Sequence, residues 1–165
     1  MEIEKEIGMT HFNSEGRPQM VSIDEKVDTL RVAFASGHIK MKPETLHAII
    51  DGKIKKGDVL SVAQVAGIMA AKSTSSVIPM CHPLLLTGID MSFKINKAES
   101  IIEIEARVKT FGKTGVEMEA LTAVSIAGLT IYDMCKAIDK DMVVSEIKLI
   151  EKTGGKSGNY KREVL

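Results

Sequence analysis

One apolar stretch of the chain, residues 116–137, carries the two residues best suited to moving protons. Asp133 and Lys136 stand three positions apart. In a helix, at ~100° per residue, Glu119 falls within ~40° of Asp133, and Thr122 and Lys136 lie close to the same stripe. On an open surface an acid and a lysine so spaced form an ion pair of a few tenths of a kcal/mol. The neighbours Ile131, Tyr132, Met134 and Cys135 argue for a less open position. A carboxylate and an ammonium in such surroundings have tunable proton affinities, as general acid–base chemistry requires.

Two Gly-Lys-[Thr/Ser]-Gly turns, at 112–115 and 155–158, invite comparison with phosphate-binding loops. Neither qualifies as a nucleotide P-loop, because the preceding glycine of that pattern is replaced by Arg107 and Ile150. The first turn nevertheless opens a helix, whose unpaired N–H groups and dipole favour an anion. Lys113 there is either an anion contact or a solvated turn lysine. The second turn either orders over a ligand or belongs to a mobile terminus.

Ile78-Pro79-Met80-Cys81-His82-Pro83 tolerates neither a helix nor a central strand. Adjacent Cys81 and His82 point to opposite sides of an extended segment, which disfavours a nucleophile pair and shared chelation of one metal. A small buried hydrophobe is the expectation for Cys81, and a ligand contact or a structural bond for His82. Arg31 and Lys152, with Lys113, Lys136, Lys156 and His82, would hold a phosphorylated ligand if the fold brings them together. His11, His38 and His47 carry no motif.

The elements that must position these groups follow from periodicity. Residues 1–22 show no period and read as an irregular arm. A strand is expected at 30–41, a helix from Pro43 to the Asp51-Gly52 stop, and a second helix at 60–72, capped by Asp58. A polar stop follows at 73–76. Alternation at 88–96 and 101–110 predicts an antiparallel hairpin, 116–137 a long helix, and 143–150 a last strand. A flexible glycine-rich tail is expected at 153–165. This order predicts an α+β, ferredoxin-like split β-α-β fold, an antiparallel sheet with helices on one face, in a single domain over 1–165.

With 165 residues, 44% apolar and 27% charged, the chain can build a core. Equal numbers of basic and acidic residues (22 each) disfavour a charge-driven nucleic-acid or membrane-surface role. Two cysteines are too few for a disulfide framework. The acidic N-terminus does not read as a signal peptide, and no long uninterrupted apolar window suggests a membrane span. A soluble protein of a reducing, cytoplasmic compartment is expected. Ten methionines, no tryptophan and 4% aromatics predict an aliphatic core, and the high apolar fraction hints at faces buried between subunits.

The runs Ile78–Leu84, Gly112–Thr122, Thr130–Ala137 and Gly154–Gly158 together resemble the molybdenum cofactor biosynthesis protein C family, the cyclic pyranopterin monophosphate synthases, and the likeness runs from His11 to the tail. The resemblance implies a lyase that converts a cyclised dihydroguanosine triphosphate to cyclic pyranopterin monophosphate and pyrophosphate. It implies a homohexamer, a trimer of dimers with sites at the dimer interface. By the same resemblance Asp133 is the acid–base residue and Lys136 its partner. Met80, Cys81, His82, Met118 and Glu119 line the substrate pocket, and Glu117, Arg31, Lys152 and Lys156 stand at or near the site. No metal or cofactor is expected, and nothing in the sequence indicates a divalent cation with the triphosphate. The arm departs from the pattern: Ser22 follows Met20-Val21 where family members commonly carry an acid. A non-catalytic nucleotide-binding module on the same fold is the alternative.

Overall fold

The computed structural model describes residue 13 and residues 15–156 and 158–163. The first twelve residues with His11, and Ser157 of the second glycine turn, lie outside them. Strand β1 (Thr29–Lys40) turns Arg31, Ala33, Ala35 and Ile39 inward on the two-residue period of an extended chain. Helices α1 (Pro43–Ile50) and α2 (Val59–Lys72) follow. Pro43 sits in the first turn of α1, and the Asp58 carboxylate accepts the Ser61 N–H at 3.1 Å to cap α2. The expected polar stop forms one helical turn, α3 (Thr74–Val77).

Strands β2 (Leu86–Asn96) and β3 (Ile101–Gly112) make the expected hairpin, and the long helix α4 (Glu117–Cys135) crosses to β4 (Val143–Thr153). The sheet order is β2-β3-β1-β4-β5, with each neighbouring pair antiparallel, where β5 is Tyr160–Lys161. The four long strands and the helices α2 and α4 make the α+β ferredoxin-like arrangement. Ile39, Ile102, Ile104, Val108, Val124 and Ile131 are fully buried between sheet and helices, and among the described residues the aromatics Phe93 and Tyr132 pack against this aliphatic core without being fully buried. Gly37 lets α4 lie close: a Cβ there would stand 2.8 Å from Val124 Cγ1.

Most boundaries shift by one or two residues, and two of the differences bear on the site. The helix α4 is shorter than 116–137 because Ile138 and Asp139 both donate to the Cys135 carbonyl and turn the chain away. The last strand runs on to Thr153, and Tyr160–Lys161 fold back on it as β5, pairing with Lys152 and Glu151. Among the described residues α4 alone is long and apolar enough to cross a bilayer, by length and composition only. It is instead the core helix, burying Ala120, Ala123, Val124, Ala127 and Ile131.

Candidate functional site

The strand ends of the sheet and the start of α4 meet around a cleft of about 880 Å³. Its floor is Arg31, only 9% exposed. Arg31 points inward with the buried face of β1, at the point where that face runs out beyond the helices. Its Nε donates to the Gly112 carbonyl at 3.2 Å and its Nη2 to the Lys113 carbonyl at 3.1 Å, which fixes the loop leading into α4. Gly154 and Gly155 both have positive φ (+91° and +84°), and a Cβ on Gly155 would collide with the Arg31 guanidinium. Glycine is required there so that the tail backbone can lie against the arginine.

Lysines complete the walls. Lys152 Nζ stands 3.1 Å from Glu117 Oε1, with both side chains about a quarter exposed. Lys113 Nζ donates to the Asp24 carbonyl at 2.9 Å, and Lys26 and Lys156 line the same space. The cations Lys26, Arg31, Lys113, Lys152 and Lys156 face the carboxylates Asp24, Glu25 and Glu117. The start of α4 has no side-chain cap, so its first N–H groups and the dipole add to the positive potential. Such a cleft suits a multiply charged phosphate ester.

A second, smaller cleft of about 340 Å³ continues from the first through Lys26, Thr114, Gly115 and Glu117. Met80, Cys81, His82, Met118 and Glu119 line it together. His82 Nε2 lies 2.9 Å from the Val21 carbonyl, so the histidine both faces the cleft and pins the arm. Cys81 is a correction: it is partly exposed to the cleft, and the buried thiol is Cys135. The cause is the extended, proline-bounded segment, which lies along the rim rather than in the core. Burial, then the nearby Glu119 carboxylate, pushes the Cys81 thiol up. Glu119 itself is 4% exposed. Burial raises its carboxyl above the usual range, its own backbone N–H offsets part of that, and Glu117 adds to it. A carboxyl of this kind can hold a proton closer to neutrality than an exposed one.

Asp133 departs most from the sequence reading. It shares an azimuth on α4 with buried Glu119, yet its side chain is 56% exposed because it sits on the last turn, at the rim of the fold. Two lysines hold it. Lys136 Nζ stands 2.7 Å from Oδ1, and Lys56 Nζ stands 2.8 Å from both Oδ2 and the Asp133 carbonyl. The Lys136 hydrogen bond first, then the Lys56 bond, brings the carboxyl down to about 2, and Asp133 in turn raises Lys136. Sequence reasoning missed Lys56. It sits in the run Lys53-Ile54-Lys55-Lys56, where local spacing distinguishes none of the lysines, and its contact spans 77 residues.

At ~1.5 Å per residue, Asp133 lies about 24 Å along α4 from Glu117. One chain therefore gathers Arg31, Glu117, Lys152 and Lys156 in the first cleft, and Met80, Cys81, His82, Met118 and Glu119 in the second. It holds Asp133, Lys136 and Lys56 apart, at the other end of the helix. The loop beyond is fixed by Asp139, 1% exposed, whose carboxylate accepts the Lys42 and Asp141 N–H groups at 2.9 and 3.0 Å and the Thr45 hydroxyl at 3.2 Å.

The fold defines the class: a ferredoxin-like α+β domain with a lysine- and arginine-lined cleft between its strand ends and the start of a helix. Its family follows from comparison. The model described as the MoaC family matches residues 20–155, and the chain belongs to that family. A cyclic pyranopterin monophosphate synthase of Thermoanaerobacter pseudethanolicus is 65% identical over 158 residues, covering 96% of this chain and all of the relative. The protein of the same name from Heliobacterium modesticaldum is 62% identical over 155 residues (94% and 98% covered). That from Bacillus subtilis is 60% identical over 159 residues (95% and 94% covered).

Proposed function

We propose that this chain is a cyclic pyranopterin monophosphate synthase, a lyase of molybdenum cofactor biosynthesis, and that it turns a cyclised dihydroguanosine triphosphate into cyclic pyranopterin monophosphate and pyrophosphate. The observation that carries the reading is the basic cleft floored by Arg31 and walled by Lys113, Lys152 and Lys156 at the start of α4. Closing a cyclic phosphate expels pyrophosphate, and its growing charge calls for fixed cations and helix N–H groups at that position. The adjoining pocket of Met80, Cys81, His82, Met118 and Glu119 accommodates the ring system. Opening and reclosing that ring moves protons at carbon and nitrogen, the task of Asp133 with Lys136 and Lys56. These steps break and remake C–N and P–O bonds and move protons with no net change of oxidation state, so the reaction calls for no redox cofactor.

A second copy of the chain brings the Asp133 cluster to the clefts, in a homohexamer built as a trimer of dimers. Two observations support self-association. The charge clusters stand too far apart to meet in one subunit, and α2 exposes an apolar stripe of Val62, Val65 and Met69. The working compartment is the cytoplasm.

Incubation with the cyclised intermediate tests the reading. The wild-type chain releases pyrophosphate and forms the cyclic monophosphate, whereas Asp133→Asn binds the intermediate and assembles normally but does not turn over. Binding without release by the wild type would identify a nucleotide-binding module instead. Near-normal turnover by Asp133→Asn would remove Asp133 from the chemistry.

A further inference from the structure

The tail that carries Lys156 is built from residues poorly suited to holding a shape. Gly154, Gly155 and Gly158 all have positive φ (+91°, +84° and +71°). A glycine-rich terminus of this kind samples many backbone states unless something holds it. Here a ladder of bonds from beyond the turn does so. Asn159 Oδ1 accepts the Gly154 N–H at 3.2 Å, and the Gly158 N–H donates to the Gly155 carbonyl at 3.1 Å. Tyr160 and Lys161 pair with Lys152 and Glu151. Arg162 then ends the ladder with two bonds to β4: its N–H to the Ile150 carbonyl and its Nε to the Leu149 carbonyl, both at 2.8 Å.

The consequence falls on the cleft. The pinned turn lays Gly155 against the Arg31 guanidinium and brings Lys156 to the cleft wall, and the same hairpin pairs the backbone of Lys152. Asn159 and Arg162 are absent from the cleft lining. We propose that Asn159 and Arg162 are positioning residues for the substrate's phosphate chain: they hold the C-terminal hairpin so that Lys156 and the Gly154-Gly155 backbone are in place before the ligand arrives. This rests on the function proposed above. Prepaid ordering strengthens binding without altering the reacting groups, so their loss weakens binding and leaves the chemical step intact.

The test uses the full-length chain and inorganic pyrophosphate as the probe, titrated by calorimetry, alongside steady-state turnover of the cyclised intermediate. Asn159→Ala and Arg162→Ala each raise the pyrophosphate Kd and the substrate KM about fivefold to tenfold, the scale of one lost positioning bond, with kcat within about twofold. Asn159→Asp keeps the acceptor oxygen and restores both constants. In a Lys156→Ala background Asn159→Ala adds less than it costs alone, because one of the groups it positions is already gone. Melting temperatures separate this from general unfolding, and they stay at the wild-type value because the affected bonds are exposed.

The proposal is overturned if Asn159→Ala and Arg162→Ala bind pyrophosphate like the wild type, if they lower kcat as much as they raise KM, or if Asn159→Ala and Lys156→Ala add in full. Failure of the wild type to process the intermediate, with pyrophosphate binding still dependent on Asn159, would sink the enzymatic reading while leaving the positioning role standing.

Discussion

Replacing Arg31 by lysine keeps the charge and removes the fork, so it isolates what the guanidinium geometry contributes. Two of its five N–H groups are committed to the Gly112 and Lys113 carbonyls, at 3.2 and 3.1 Å. An ammonium can reach one of these at most. Hydrogen bonds to a charged group contribute about 1.5–3 kcal/mol each when buried. The two carbonyls belong to a part-exposed loop and regain water, so the net loss of stability is smaller, about 1–2 kcal/mol. In a domain of this size that lowers the melting temperature by about 2–8 °C.

The larger effect of Arg31→Lys is on anion binding. Arg31 ties the loop before α4 to the tail at Gly155, and a lysine leaves both free to drift from the anion. Pyrophosphate affinity is expected to fall about 10- to 100-fold, or about 1.4–2.8 kcal/mol. Calorimetric titration together with a thermal melt measures both quantities on one preparation. A lysine variant that binds pyrophosphate as tightly as the wild type would show that only net charge matters and that the fork has no part in the site.

Two further outcomes are expected. Asp139→Ala strips the acceptor from the Lys42 and Asp141 N–H groups and the Thr45 hydroxyl, costing about 3–5 kcal/mol by urea unfolding at neutral pH; a loss below about 1 kcal/mol would refute the anchoring role. Burial pushes the Asp139 carboxyl up, but its N–H and hydroxyl donors and Lys42 more than offset this and leave it below the usual range, so its stabilisation is full above about pH 4 and is lost as pH falls through the folded value. Lys56→Met raises the Asp133 carboxyl from about 2, and Lys136→Met raises it further because Lys136 is the larger influence, as read by carboxyl NMR titration. An Asp133 titration unmoved by Lys56→Met would show that the 2.8 Å contact does not persist in solution.

The sheet was legible because its strands alternate over eight or more residues and the α2 start has a capping aspartate, both local signals. The two pocket segments were legible for the same reason: the proline-bounded Met80–His82 run and the turn into α4 are contiguous stretches whose residues stay neighbours after folding. Exposure at Asp133 was not legible. Apolar neighbours on a helix describe the other faces of that helix, and only the fold decides where a helix runs past its cover. Lys56 and the tail hairpin were hidden for a related reason. Each depends on pairing between segments that carry no periodic signal of their own, and a glycine-rich end reads alike whether or not Asn159 and Arg162 hold it.

The division of charge along α4 gives the separation of the two clusters a physical logic. The cleft's basic groups gather at the N-terminal end, where the helix dipole is positive and Val116 provides no side-chain cap. At the C-terminal end the Asp133 carbonyl and carboxylate lie in the negative end of the dipole and attract Lys56 and Lys136. The dipole thus favours an anion bound at the N-terminal end and the two lysines at the C-terminal end; it opposes the Asp133 carboxylate, which Lys56 and Lys136 offset. A rigid helix cannot bend its ends together across about 24 Å, so within one chain the Asp133 cluster and the two clefts stay apart.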